Sequence, residues 1–187
     1  MAYICSTEKI AQVVGVLLRQ EPHHTTEYLR VLKMLYIADR ESIKEIGRPI
    51  IGSQAVAMEH GPLHSKAYDL IKGNHKDAAL WFKYFDTERW FIKMNSETDV
   101  SELSRYEVTK LEEISKRYYH YDEWQLSKLT HDFVEWERNY KEDSRSSFPI
   151  PFEEIIEAVG ISEHKDQLLA EQEVHNIAQR IFGKVDH

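Results

Sequence analysis

The chain of 187 residues is long enough for one well-filled domain, because larger chains bury a growing share of their surface. Apolar residues make up 42% and charged residues 30%, which is typical of soluble globular proteins and excludes wholesale disorder. The formal net charge is −8, and no cluster of five basic residues occurs, so direct binding of nucleic acid is disfavoured. An acidic surface instead favours encounter with a basic protein partner.

Cys5 is the only cysteine, so the chain can form neither an internal disulfide nor a cysteine zinc cluster. The longest apolar run near the N-terminus, residues 13–18, is too short to span a membrane. The polar residues before it are also unlike those of a signal peptide. We therefore expect a cytoplasmic protein without membrane contact.

The first predicted helix covers residues 7–20, with Ser6 or Thr7 as its cap. Its apolar residues recur at spacings of three and four, which places them on one face. Pro22 is expected to end it, because proline cannot continue a helical hydrogen-bond ladder.

A second helix is predicted from a cap at Thr25 or Thr26 to about Ile46. Gly47 can take the left-handed conformation that closes a helix, and Pro49 prevents continuation. Between residues 31 and 38 every residue except Lys33 is apolar, which is typical of a helix in the centre of a fold.

Asp39 lies on the apolar stripe of this second helix, so we expect its carboxylate to point toward the interior. A buried carboxylate needs a cation or several hydrogen-bond donors close to it. The stripe consists of Tyr28, Leu32, Leu35, Ile43 and Ile46.

After this helix, residues 54–58 are predicted to be extended. Gly61 and Pro62 suit a turn whose proline opens a third helix that continues to Ile71. Residues 81–94 are rich in aromatic residues and alternate in polarity, with DTER as a tight connection, which predicts a β-hairpin.

The remaining elements are predicted to be helical. A capping box starts a helix over residues 104–120, and a further helix covers residues 122–140. Residues 141–151 form a loop, residues 152–159 a short helix and residues 162–182 the last helix. The sequence therefore predicts a mainly α (α+β) fold, a single compact helical domain with one small β-hairpin.

The ten histidines do not indicate a metal site. His60 and His64 are four residues apart, but Gly61 and Pro62 lie between them, and no HExxH pair occurs. Solvated or core histidines are the favoured interpretation, although ligands from distant helices remain an alternative. The sequence also lacks a GxSxG elbow and a glycine-rich phosphate loop.

An enzymatic interpretation depends on Asp39 and His60, assisted by Arg48, Tyr36 or Tyr68. The alternative is a buried polar network that fixes the central helix against the two turns that follow it. We favour the network, because catalysis would need a nucleophile, metal or phosphate site that the sequence does not offer.

Seven tyrosine and tryptophan residues are concentrated between residues 106 and 140. Most of them suit a core, but Tyr118, Tyr119 and Tyr121 cannot all face inward from one helix. At least one of the three is expected to reach the surface, where it could contact a partner.

The order of short segments between residues 33 and 69 is distinctive. KMLYIADR is followed by GRPI, a lone glycine, HGP, and a serine shortly before YD. This order and spacing resemble the Panacea domain, the SocA-like antitoxin family. The family pattern falls on Lys33, Leu35, Tyr36, Ala38, Asp39, Gly47, Arg48, Pro49, Ile50, Gly52, His60, Gly61, Pro62, Ser65, Tyr68 and Asp69.

The resemblance implies an antitoxin of a bacterial or phage toxin–antitoxin pair, which silences a cognate toxin by direct contact and needs neither catalysis nor a cofactor. Residues 1–187 would form one such domain, with its best-matching region over 25–151 and a C-terminal helical extension over 152–187. An adaptor that presents a client to a protease, and an enzyme that uses Asp39 and His60, remain alternatives. The toxin's identity and any homo-oligomer are left open.

Overall fold

The computed structural model describes residues 2–142 and 147–182, and it confirms the mainly α fold with a minor β component. Within these residues the helices are α1 (Thr7–Arg19), α2 (Tyr28–Ile46), α3 (Ser65–Ile71), α4 (Ala78–Trp81), α5 (Arg105–Arg117), α6 (Glu123–His131), α7 (Val134–Asn139), α8 (Phe152–Ala158) and α9 (Lys165–Phe182). The strands are β1 (Thr25–Glu27), β2 (Ala55–Met58), β3 (Gly61–His64), β4 (Phe85–Glu88), β5 (Phe91–Met94) and β6 (Phe148–Ile150). They form two antiparallel sheets, ordered β1-β5-β4 and β3-β2-β6.

Helix α2 lies at the centre of the fold, as its composition predicts. Every residue from 30 to 39 is buried, and the helix packs against α5, α6 and β3. Gly47 closes it with φ 73°, in the left-handed conformation that the sequence predicts. The placement follows from the apolar circumference of the helix, which only an interior position can satisfy.

The predicted start of this helix is wrong. Residues 25–27 form strand β1, in which Thr26 lies opposite Ile92 of β5. The backbone N–H of Tyr28 then donates to the carbonyl oxygen of Trp90 over 2.9 Å. Backbone hydrogen bonds from a distant segment therefore override the local capping preference of the two threonines.

Pro62 does not open a helix, contrary to the prediction. It lies in β3 opposite Ala57, and the helix begins only at Ser65. Strand β3 is at the edge of its sheet, where a residue without an N–H is tolerated. The sequence identified β2 but missed its pairing with β3.

The predicted hairpin over residues 81–94 is confirmed in part. It consists of β4 and β5, and its turn falls at residues 89–90 rather than at DTER. Trp81, placed in a strand by its aromatic neighbours, belongs to α4 and is fully buried. The expectation of one hairpin is also wrong, since β2 and β3 form a second.

The helix predicted over residues 122–140 is divided in two. Phe133 adopts an extended conformation between α6 and α7, and its ring packs beneath the guanidinium of Arg40 at 4.2 Å. The predicted loop over residues 141–151 contains β6, while residues 143–146 lie outside the described part of the chain.

Other predicted boundaries agree closely with the structure. Helix α1 is capped by the Ser6 hydroxyl, α5 starts with the predicted capping box of Ser104 and Glu107, and α8 falls where expected. The last helix begins at Lys165, three residues after its predicted start at residue 162, because residues 162–164 form a 3₁₀ turn. No helix of the described chain is long and apolar enough to cross a membrane.

Candidate functional site

Asp39 holds the turn that follows α2. One carboxylate oxygen accepts hydrogen bonds from the N–H groups of Ile50 and Ile51, each at 2.9 Å, and the other accepts from Gly52 at 2.7 Å. The carboxylate is buried, as predicted, and three backbone donors compensate its desolvation. This arrangement fixes where the chain goes after it leaves the central helix.

The histidine beside Asp39 is His64. Its Nε2 lies 3.1 Å from a carboxylate oxygen of Asp39, but the geometry is not that of a hydrogen bond. Its Nδ1 lies 2.9 Å from the carbonyl oxygen of Ser53. The sequence prediction grouped Asp39 with His60 instead. No alternation of polarity would have singled out His64, since all four residues of β3 are buried.

Lys33 is fully buried in the middle of α2. Its amine donates a hydrogen bond of 2.9 Å to the carbonyl oxygen of Pro62, and burial lowers the pKa of the amine to about 7. Gly61, at φ 94°, allows its backbone to lie close to Lys33 and Thr130. A Cβ at this position would lie 3.1 Å from the Lys33 amine and 2.5 Å from the Thr130 hydroxyl oxygen. The lysine and the Gly-Pro pair therefore form one packed unit.

Tyr36 belongs to a second buried polar cluster. Its hydroxyl donates to a carboxylate oxygen of Glu135 over 3.1 Å, and Arg40 donates to the same oxygen over 2.8 Å. Burial, followed by the charge of Glu135, raises the pKa of the Tyr36 hydroxyl. This cluster joins α2 to α7.

The other residues of the predicted motif are divided between surface and scaffold. Arg48 is exposed and pairs with Glu171 of α9 at 3.2 Å, so it lies outside the Asp39 network. Ser65 donates its backbone N–H and its hydroxyl to the Gln54 carbonyl oxygen. Asp69 accepts at its carbonyl oxygen from the N–H of residue 74, which ends α3.

A narrow cavity of about 280 Å³ opens beside the Asp39 turn. Pro49 contributes to its wall, together with Tyr36 and His64. The hydroxyl oxygen of Ser53, which also faces this cavity, is buried without a hydrogen-bond partner in the described chain. Asp39 and His64 therefore form part of the polar wall of this cavity, next to this hydroxyl of Ser53.

A larger groove of about 550 Å³ is lined in part by Lys33. We call it the aromatic groove; its walls come from α2, the β2–β3 turn, α3, β5 and the start of α6. Its lining residues are Glu27, Tyr28, Leu29, Leu32, Lys33, Met58, Glu59, His60, Gly61, Leu63, Tyr68, Trp90, Phe91, Glu123 and Trp124. Residues Trp90, Trp124 and Phe91 are 66%, 57% and 47% exposed.

His60 belongs to this groove and not to the Asp39 network. Its ring packs edge-on against Trp124 at 5.2 Å, and its carbonyl oxygen accepts from the Ser127 hydroxyl over 2.8 Å. Tyr68 also lines the groove. The structure thus separates His60, Tyr68 and Arg48 from Asp39, whereas Tyr36 lines the same cavity as Asp39.

The described residues contain no group of three or more His, Cys, Asp or Glu side chains that could hold a metal ion. Burial raises the pKa of the Cys5 thiol to about 12, so the thiol stays protonated and weakly nucleophilic at neutral pH.

The prediction that at least one of Tyr118, Tyr119 and Tyr121 reaches the surface is confirmed, because Tyr119 and Tyr121 are exposed.

The family model described as "Antitoxin SocA-like, Panacea domain" matches residues 31–137. The chain belongs to this family. The match begins in α2 and ends in α7, so it includes the Asp39 turn, the contact of Lys33 with Pro62, and most of the aromatic groove. Neither the curated proteins nor the solved structures gave a match.

Proposed function

We propose that this protein is the antitoxin of a toxin–antitoxin pair and that it silences its toxin by direct protein–protein contact. Membership of the SocA-like Panacea family supports an antitoxin in general. The observation that supports silencing by direct contact is that the charged side chains of the motif bind the protein's own backbone. Asp39 binds three backbone N–H groups, and Lys33 binds the Pro62 carbonyl.

These contacts favour a binding protein over an enzyme. Side chains that hold the backbone in place are scaffold groups, and His60, the other member of the enzymatic hypothesis, packs against Trp124 instead. The exposed aromatic side chains beside the motif are of the type that anchors protein interfaces. The net charge of −8 adds a preference for a basic partner.

Co-expression tests this function. Each reading frame adjacent to this gene is expressed alone and together with this protein, and growth is followed. We expect one neighbour to stop growth alone, to be tolerated in the pair, and to co-purify with this chain. Absence of rescue and of co-purification for every neighbour would overturn the proposal.

The half-life of the toxin separates contact from delivery to a protease. Masking by contact predicts that the toxin persists in cells at least as long with this protein as without it. A toxin that disappears faster in its presence, and is stabilised when proteases are removed, would instead show that the protein acts as an adaptor.

A further inference from the structure

We propose that the aromatic groove is the docking site for the toxin and that it receives an apolar side chain from a basic surface segment of that toxin. This inference rests on the antitoxin function proposed above. It names the surface and the chemistry of the partner, neither of which follows from family membership.

The groove has the shape and lining of a side-chain pocket. Its volume lies within the usual range for binding pockets, and its deep wall is apolar, formed by Leu32, Leu63 and Met58. Trp90 and Trp124 lie at its mouth, and each residue is more than half exposed. Large exposed aromatic side chains gathered around one pocket are typical of an interface centre.

The charges at the mouth favour a basic segment. Glu27, Glu59 and Glu123 line the groove. Of the described residues that line the groove, Lys33 is the only lysine or arginine, and it is fully buried. The exposed Lys72 places its amine 4.9 Å from the centre of the Tyr28 ring, and the exposed Arg89 precedes Trp90 in the chain. Lysine or arginine residues that flank the inserted side chain would meet these three carboxylates.

Lys33 closes the floor of the groove. It is fully buried, and its amine donates a hydrogen bond to the carbonyl oxygen of Pro62. The amine is therefore out of reach of a docked segment, and the apolar and acidic side chains of the groove provide the contacts.

The walls are held in place before binding. The carbonyl of Trp90 accepts from Tyr28, and their rings stack at 6.3 Å. On the opposite side, the Met58 carbonyl accepts from the Trp136 indole over 2.9 Å. A preformed pocket loses little conformational freedom on binding, which favours tight association.

Affinity measurements with the toxin found by co-expression test the groove. Trp90→Ala and Trp124→Ala should each weaken binding by roughly 30-fold. Phe182→Ala is the matched control, because Phe182 is 73% exposed on α9 and does not line the groove. Its affinity should stay within about twofold of the wild-type value. Melting temperatures of all three variants should match the wild type, which shows that the fold is intact.

A charge reversal tests the basic partner. Glu59→Lys at the groove should slow association by about tenfold at low salt, and this difference should shrink as salt is added. Glu173→Lys, on the exposed face of α9, makes the same change in net charge. Its association rate should stay close to that of the wild-type protein. Equal rates for the two charge variants would overturn the basic segment.

The outcomes separate this inference from the function on which it rests. A toxin that binds the wild type and the two tryptophan variants equally would overturn the groove and leave the antitoxin function standing. A wild-type dimer that dissociates in Trp90→Ala without effect on toxin affinity would assign the groove to a second copy of this chain and overturn the inference. Failure of every neighbouring product to bind the wild type would overturn both.

Discussion

The amine of Lys33 and the carbonyl oxygen of Pro62 are joined by a hydrogen bond of 2.9 Å across 29 positions of sequence. This bond attaches the centre of α2 to the edge strand β3, and its donor is fully buried. A lysine in such a place destabilises the fold when it is charged, because its desolvation is compensated by a single neutral acceptor.

Stability should therefore rise with pH in a way that depends on Lys33. The pKa is about 7 in the folded state and near 10.5 in the unfolded chain, so the unfolded chain binds more protons between these values. From pH 7 to pH 9 the free energy of unfolding of the wild type should rise by about 2 kcal/mol relative to Lys33→Met. Urea titrations of both proteins at each pH measure this difference.

The difference between the wild type and Lys33→Met isolates the titration of Lys33, because other groups that titrate at alkaline pH contribute equally to both proteins. Burial raises the pKa of Cys5 and of Tyr3 to about 12, so their ionisation weakens the fold at high pH in both proteins alike. Parallel pH profiles for wild type and variant would contradict a buried amine that is neutral above pH 7.

Asp39→Asn should be strongly destabilising. The amide presents a donor where the carboxylate now accepts from Gly52 or from Ile50 and Ile51, so at least one buried N–H loses its partner. The expected cost is roughly 3 kcal/mol in the free energy of unfolding. Asp86→Asn, on the exposed face of β4, is the control and should change it by less than about 0.5 kcal/mol. Neutralisation lost in Asp39→Asn at unchanged stability would favour the enzymatic hypothesis.

Gly61→Ala and Gly160→Ala separate backbone strain from crowding. Both glycines have positive φ, but a Cβ at Gly61 would lie 2.5 Å from the buried Thr130 hydroxyl oxygen, whereas nothing lies within 4 Å at Gly160. Gly160→Ala should cost about 1 kcal/mol for the conformation alone, and Gly61→Ala about 3 kcal/mol or more. Thermal unfolding measures both costs. Equal costs would show that the Thr130 hydroxyl and the Lys33 amine move to accommodate a Cβ at position 61 without a large loss of stability.

His60→Ala and Arg48→Ala should leave the fold almost unchanged. Both side chains are exposed, and the pair of Arg48 with Glu171 lies at the surface, where such pairs contribute about 0–1 kcal/mol. The proposed docking site predicts a difference in binding, since His60 contacts Trp124 in the groove and Arg48 lies elsewhere. Weaker toxin binding is expected for His60→Ala only; equal binding by both variants would remove His60 from the interface.

The elements that the sequence predicts well are those determined by local signals. The caps at Ser6 and Ser104, the left-handed Gly47 and the apolar circumference of α2 each act within a few residues. The errors arise where distant segments pair. Thr25 forms part of a strand because it pairs with β5. Pro62 fits into β3 because this strand lies at the edge of its sheet, where an N–H group is not needed.

The candidate site shows the same division. The burial of Asp39 follows from its place on the apolar stripe of α2. Its hydrogen-bond partners are backbone N–H groups of residues 50–52, and no side-chain motif in the sequence predicts them. The groove brings Trp90 and Trp124 together from two distant elements, and periodicity within either element carries no information about the other.

A calorimetric titration of the growth-inhibiting neighbour into this protein tests silencing by direct contact. Silencing by contact predicts a saturable heat, a complex of fixed stoichiometry, and loss of that heat in the Trp90→Ala, Trp124→Ala double variant together with loss of growth rescue. If the wild-type protein rescues growth but gives no binding heat and forms no complex with the toxin, silencing by direct contact is contradicted.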